Sequence, residues 1–195
     1  SWEWAGIKDP PDKNVLSNIG ENIASLIGRV DAGTYEPSFS GSFKGVAHNW
    51  FYAKTGCLQY LIEVGEGQEG MQPSETEKIN GIVHNNLRGA FYAINRTAGI
   101  NSGNLGADSY MVSGLIKDAS TGETIQGTEI KILEMDGSVL SPRLSDNFGR
   151  YRRLLIDESY TVQVNGLGYE SEEFSVTPSS TSITNFDISL QPLQL

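Results

Sequence analysis

Glu63 is the residue in this sequence best placed to do chemistry. It stands near the end of Cys57-Leu-Gln-Tyr-Leu-Ile-Glu63-Val-Gly-Glu-Gly67, a run whose Tyr60, Leu61, Ile62 and Val64 suit a central strand buried on both faces. A carboxylate there is costly unless it is paired, hydrogen-bonded or open to a cleft. Two readings follow. One is a strand-edge glutamate held in a salt bridge. The other is a general base whose pKa is raised by apolar surroundings, with Gly65 and Gly67 leaving room for a substrate.

The other chemistry-bearing residues are few. There are two histidines and one cysteine, so an intrachain disulfide and a cysteine-based zinc site are both excluded. His48 lies in a Gly/Ser-rich stretch and reads either as a pocket residue or as a loop histidine bonded to backbone. His84 falls in a helical pattern with no Glu or His at zinc-binding spacing, and is expected to be an ordinary helix-face residue. A net charge of −10 with no basic stripe argues against nucleic acid and against anionic lipid. No apolar run is long enough to span a membrane.

The elements that must position these residues are legible from periodicity. Val15, Leu16, Ile19, Ile23, Leu26, Ile27 and Val30 recur at helical spacing behind the turn Asp9-Pro-Pro-Asp12. Residues 31 to 49 read as a loop, with Phe39 and Phe43 packing or touching ligand. Ser74 with Glu77 predicts a capping box, opening a helix to about Arg96 with Ile79, Ile82, Val83, Leu87, Ala90, Phe91 and Ile94 on one buried stripe. Arg88 and Arg96 suit the dipole of its later turns. A Gly/Asn-rich boundary at 99–108 then separates two units, 1–106 and 107–195.

Beyond the boundary the pattern alternates. Turns at Ser120-Thr-Gly122, Asp136-Gly137 and Phe148-Gly149 divide about seven short strands, which predicts a small antiparallel β-sandwich. Its core is expected to hold Ile130, Ile132, Tyr160, Val162, Phe186 and Ile188.

The run Gly45-Val-Ala-His-Asn-Trp50-Phe-Tyr, then Cys57, then Glu63 six residues on, resembles the second half of the zinc metallocarboxypeptidases. It is closest to the branch with a C-terminal transthyretin-like domain, which the sequence from Ser113 to Leu190 also resembles. The resemblance implies an α/β fold class for 1–106, as the C-terminal part of a mixed-sheet catalytic domain, followed by an all-β transthyretin-like sandwich over 107–195. It implies Glu63 as general base, and Tyr35, His48 and Trp50 as substrate-binding residues, Tyr35 as the clamp in the mobile loop. It further implies zinc held by residues outside this chain, since neither histidine heads a His-x-x-Glu and the carboxylate-binding arginine is also missing. The expected partners are then an N-terminal catalytic part of the same precursor and the C-termini of peptides or proteins. The start at Ser1-Trp-Glu-Trp4 is expected of a processed fragment, in a secreted, extracellular or periplasmic protein. The competing expectations are a non-catalytic structural or binding protein using the sandwich for assembly or adhesion, and an unrelated adhesin-like module in which Glu63 is incidental.

Overall fold

The apolar stripe from Val15 to Ile27 does what its spacing dictates. Helix α1 (Lys13–Leu26) buries Val15, Ile19, Ile23 and Ala24 along one face. In this computed structural model the described residues are 9–30, 32–38, 46–65, 69–100, 109–135 and 141–194. The start at Ser1-Trp-Glu-Trp4, Phe39, Phe43, Gly67 and the Asp136-Gly137 hairpin lie outside them.

Helix α2 (Ala47–Thr55) begins inside the expected loop, so His48, Asn49 and Trp50 are helical. Helix α3 (Thr76–Ala98) starts two residues after the expected cap. Glu75 occupies the capping position and makes no side-chain cap bond, so the Ser74/Glu77 box does not form.

The larger correction concerns which face of α3 is inside. Its buried residues are Ile82, Gly89, Tyr92 and Arg96, of which Gly89 and Tyr92 meet the apolar cluster of α1. A Cβ at Gly89 would lie 2.7 Å from the Ile27 side chain, so the helices approach closely there. Of the expected core stripe Ile82 is buried, but Ile79, Val83, Leu87, Phe91 and Ile94 are exposed, with Phe91 at 51%.

No sheet strand lies among the described residues 9–100, which hold only an isolated bridge between Gly28 and Thr34. The expected buried strand over Cys57–Val64 is therefore not formed, and the α/β sheet is not seen. A strand must spend its backbone donors and acceptors on neighbours, and among the described residues no strand pairs with this segment. Leu58 and Tyr60 still turn inward onto the α1 cluster, with the Tyr60 hydroxyl donating to Leu16 O at 3.1 Å.

The second half closes on itself. Strands β1 (Met111–Asp118), β3 (Arg150–Leu154), β6 (Thr184–Asn185) and β7 (Ile188–Leu190) form one sheet. Strands β2 (Glu129–Ile132), β4 (Tyr160–Asn165) and β5 (Glu172–Val176) form the other, in the order β2-β4-β5. The sandwich is mixed, not wholly antiparallel. β1 pairs antiparallel with β3 but parallel with β6 and β7. Both pair with it at the same register, so the chain from β6 to β7 runs along one edge of β1; between them, at Gly114, a Cβ would sit 2.1 Å from Phe186 O, a close approach that only glycine allows. The expected core is in place, with Ile130, Ile132, Tyr160, Val162 and Ile188 buried together and Phe186 packed against them.

Arg96 joins the halves. It stands in the last turn of α3, where a cation suits the helix dipole as expected, and beyond that expectation it is 2% exposed and bonded to the sandwich half. Its Nη1 donates to Ser109 O at 2.5 Å, and its Nη2 donates to Leu155 O.

Candidate functional site

Glu63 is exposed, and so are its neighbours Leu61 (74%), Ile62 and Val64. The expectation of a half-buried carboxylate in an apolar strand end is not met here, because nothing in the described chain covers that face. Glu63 makes no hydrogen bond or ion pair to a described residue, so the salt-bridge reading is not seen either.

The backbone just beyond it is tightly built. Gly65 is buried with φ of 82°, and a Cβ on it would stand 2.4 Å from Gly70 O, so only glycine fits where this turn closes. The Gly65 N–H donates to the Tyr35 hydroxyl at 3.1 Å. That hydroxyl donates in turn to Glu69 Oε2. Glu69, 1% exposed, also accepts from the Val30 N–H at 2.5 Å. Burial, and then the bond to Glu69, push the Tyr35 phenol above its ordinary pKa. Gly65 N–H and Arg29, whose guanidinium lies 5.9 Å from the ring centroid, oppose that rise. Tyr35 is thus buried in the α1 cluster with its hydroxyl engaged, not extended toward solvent.

His48 and Trp50 are carried by α2. His48 is half-buried; Trp50 is exposed and meets Phe51 edge to face at 5.1 Å. Their helix is anchored from both sides. Tyr52 donates its hydroxyl to Asp12 Oδ2 at 3.0 Å and accepts from the Asp12 N–H at 3.3 Å. Arg153 reaches the other Asp12 oxygen at 3.3 Å. Arg143 Nη2 donates to Tyr52 O at 3.1 Å, and Ser141 N–H donates to Ala53 O at 3.0 Å. Burial foremost, with the Asp12 charge next, holds the Tyr52 phenol well above its usual range.

The structure ties Tyr35 to the turn that follows Glu63. It shows no direct bond from Glu63 to Tyr35, His48 or Trp50. Glu69, Asp12, Tyr52 and Arg143 were missed as positioning groups. Nothing in the periodicity singles them out, and Glu69, followed by Gly70, reads as an ordinary residue of a polar loop. A cavity of about 290 Å³ lies where α1, α3 and the sandwich meet, lined by Asn22, Tyr92, Arg96, Tyr110 and Asp157 among others. Glu63 is not on its wall. Among the described residues no three His, Cys, Asp or Glu side chains come together to hold a metal ion.

With this geometry in place, comparison with known proteins adds the following. Residues 111–191 match the carboxypeptidase regulatory-like domain, the transthyretin-like domain of that family. No curated protein is similar to the chain. Among solved structures, the sandwich-like sheets are similar to the shaft pilin SpaA from Lactobacillus rhamnosus GG, at 16% identity over 44% of this chain and 48% of that one, with a TM-score of 0.34. The group B streptococcus pilus 2b backbone protein is similar at 12% identity over 42% of this chain and 40% of that one (TM-score 0.35). The Bacillus anthracis TIE protein is similar at 15% over 43% and 17% (TM-score 0.34). The chain thus spans about half the length of the pilins it matches, or less. No helix among the described residues is long and apolar enough to cross a membrane.

Proposed function

We propose that this chain is the C-terminal portion of a secreted, extracellular or periplasmic zinc metallocarboxypeptidase, which removes C-terminal residues from peptides or proteins. It works with an N-terminal part that carries the zinc ligands. The supporting observation is the carboxypeptidase regulatory-like match at 111–191, directly behind the Glu63 segment. The uncovered apolar residues Leu61, Ile62 and Val64, with the outer stripe of α3, give the missing part a surface to cover. Zinc in such an enzyme polarises the scissile carbonyl and its bound water. With zinc and the carboxylate-binding arginine supplied by the N-terminal part, Glu63 would serve as the general base, and His48 and Trp50 on the anchored α2 would meet the terminal side chain of the substrate.

Production of the parent polypeptide, zinc-bearing part included, tests this. It should hydrolyse a peptide with a free C-terminus and spare the same peptide when amidated. Glu63→Gln should lower kcat by roughly 10²–10⁴-fold with zinc content unchanged, the range of a lost general base. Near-full turnover by that variant would remove Glu63 from the chemistry.

A second reading, a non-catalytic protein whose sandwich serves assembly, draws on one observation. The sandwich core is complete, whereas Glu63 sits exposed and away from the cavity. An inactive parent polypeptide with an intact sandwich would favour it.

A further inference from the structure

The buried Glu69 carboxylate is not used by the chemistry just described, yet it costs the fold something to hold it. A carboxylate with 1% exposure persists only where hydrogen bonds replace its water. Here the bonds come from Val30 N–H and from the Tyr35 hydroxyl. Because that hydroxyl gives its proton to Glu69, its lone pairs are left to accept, and the donor they meet is Gly65 N–H. The relay therefore runs from the chain after α1, through Glu69 and Tyr35, to the backbone two residues beyond Glu63. Its far end is the turn where Gly65 presses against Gly70 O, so the backbone there has little freedom to drift.

Glu63 is held differently. Its own side chain is exposed and bonds to no described residue. The relay fixes the main chain that carries it and leaves the carboxylate unspent. A general base needs both: a fixed location and oxygens free to take a proton.

We infer that Tyr35 and Glu69 are positioning residues for Glu63, acting through the Gly65 backbone. This rests on the peptidase reading above, and it moves Tyr35 from substrate clamp to support of the base. The two roles differ in what they predict. A clamp touches substrate, so its loss raises KM. A support sets the geometry of the reacting groups, where a displacement of about an ångström costs on the order of 100-fold in rate.

The test uses Tyr35→Phe and Glu69→Gln with two readouts. The first is amide hydrogen exchange at Gly65 in this chain. We expect exchange at least tenfold faster in both variants, with α1 and α3 amides still protected. The second is steady-state kinetics of the parent polypeptide on a free-C-terminus peptide. We expect kcat to fall about 10- to 100-fold for both variants, with KM within twofold and zinc content unchanged. Should Glu69→Gln fail to fold, Tyr35→Phe decides alone, since it removes one oxygen and keeps the ring. A rise in KM at constant kcat for Tyr35→Phe only would restore the clamp and overturn the inference. Unchanged kcat with faster Gly65 exchange would overturn it while leaving the peptidase reading intact. A wild-type parent that cleaves nothing would sink the peptidase reading and this inference with it. Unchanged Gly65 exchange would show instead that the relay does not hold the turn.

Discussion

The two halves of this chain spend their apolar residues in opposite ways. In the sandwich, alternation sends Tyr160, Val162 and Val164 of β4 inward, where they meet Ile130, Ile132, Ile188 and Leu190. Every strand there has a neighbour to take its backbone bonds. In the helical half, α3 turns Gly89, Tyr92 and Arg96 inward and leaves Ile79, Val83, Leu87, Phe91 and Ile94 outside. Leu61, Ile62 and Val64 are outside as well. One half is a finished domain by the criterion of its core. The other has a core on one side and an exposed apolar surface on the other, the surface that the proposed N-terminal part would cover.

The widest break in this comparison comes from separating the halves. Residues 109–195 produced alone should unfold in a single cooperative transition, as small domains usually do. Residues 1–100 produced alone should lack cooperative unfolding and should bind dyes that report exposed apolar surface. Calorimetry on the two fragments checks this, and a sharp transition in the helical fragment would contradict it. Next in size is Arg96→Ala. It leaves carbonyls of Ser109 and Leu155 buried without donors, at a cost of about 3 kcal/mol or more in denaturant unfolding of the whole chain.

How much of this was legible in the sequence follows the same division. The alternation in Tyr160–Val164 has one solution, because a period of two leaves only two faces and one must be buried. The core of the sandwich followed from that. The parallel pairing of β6 and β7 did not, since two- and three-residue strands carry almost no pattern, and the determinant is the space at Gly114. In α3 the apolar stripe was identified correctly, but its direction was not. Hydrophobic periodicity says that a face is apolar and does not say that this chain covers it. The face that packs on α1 carries Gly89, Asn85 and Asn86, which read as polar or small. Close approach at Gly89 and the bonds of Arg96 decide the matter, and neither has a periodic signature. For the candidate site, Glu63 could be picked out because it interrupts an apolar run. The Tyr35–Glu69 relay could not, because it joins residues 34 apart through a turn whose closure depends on backbone approach.

Paired core and surface substitutions sharpen the comparison at single-residue scale. Ile130→Ala empties a fully enclosed site in the sandwich and should cost about 2–5 kcal/mol. Phe91→Ser on α3 removes a larger side chain, yet should cost this chain only about 1 kcal/mol, because half of the residue is already in solvent. In the parent polypeptide the ranking should alter. If the missing part covers α3, Phe91→Ser should then destabilise by several kcal/mol, as loss of a buried aromatic does. Denaturant titration of both variants in both contexts measures the difference, and a neutral Phe91→Ser in the parent would mean that the stripe stays uncovered.

The smallest expected effect is electrostatic and belongs to the sandwich. Asp187 accepts from Lys117 Nζ at 2.7 Å and from Leu115 N–H at 2.9 Å, between β6 and β7 where the chain runs beside β1. The bond from Lys117, then the Leu115 N–H, hold its carboxyl below the ordinary aspartate value of 3.8, against a small opposing effect of burial. A folded-state value below the unfolded one means that the unfolded chain takes up the proton first as pH falls. The stabilisation is therefore fully present above about pH 4 and is lost as pH drops through the depressed folded value. Half of the Asp187 side chain is in solvent, so the whole effect should stay below about 1 kcal/mol, the range of exposed ion pairs. Asp187→Asn keeps an oxygen for Leu115 N–H but has no charge to titrate. Melting temperatures of the sandwich between pH 6 and pH 2 should thus fall less steeply for the variant than for the wild type, with the two curves converging at the acid end. Parallel curves would show that Asp187 contributes nothing to the acid sensitivity. Asp118 and Asp146, which cap turns by accepting backbone N–H groups and are likewise lowered, would then account for it.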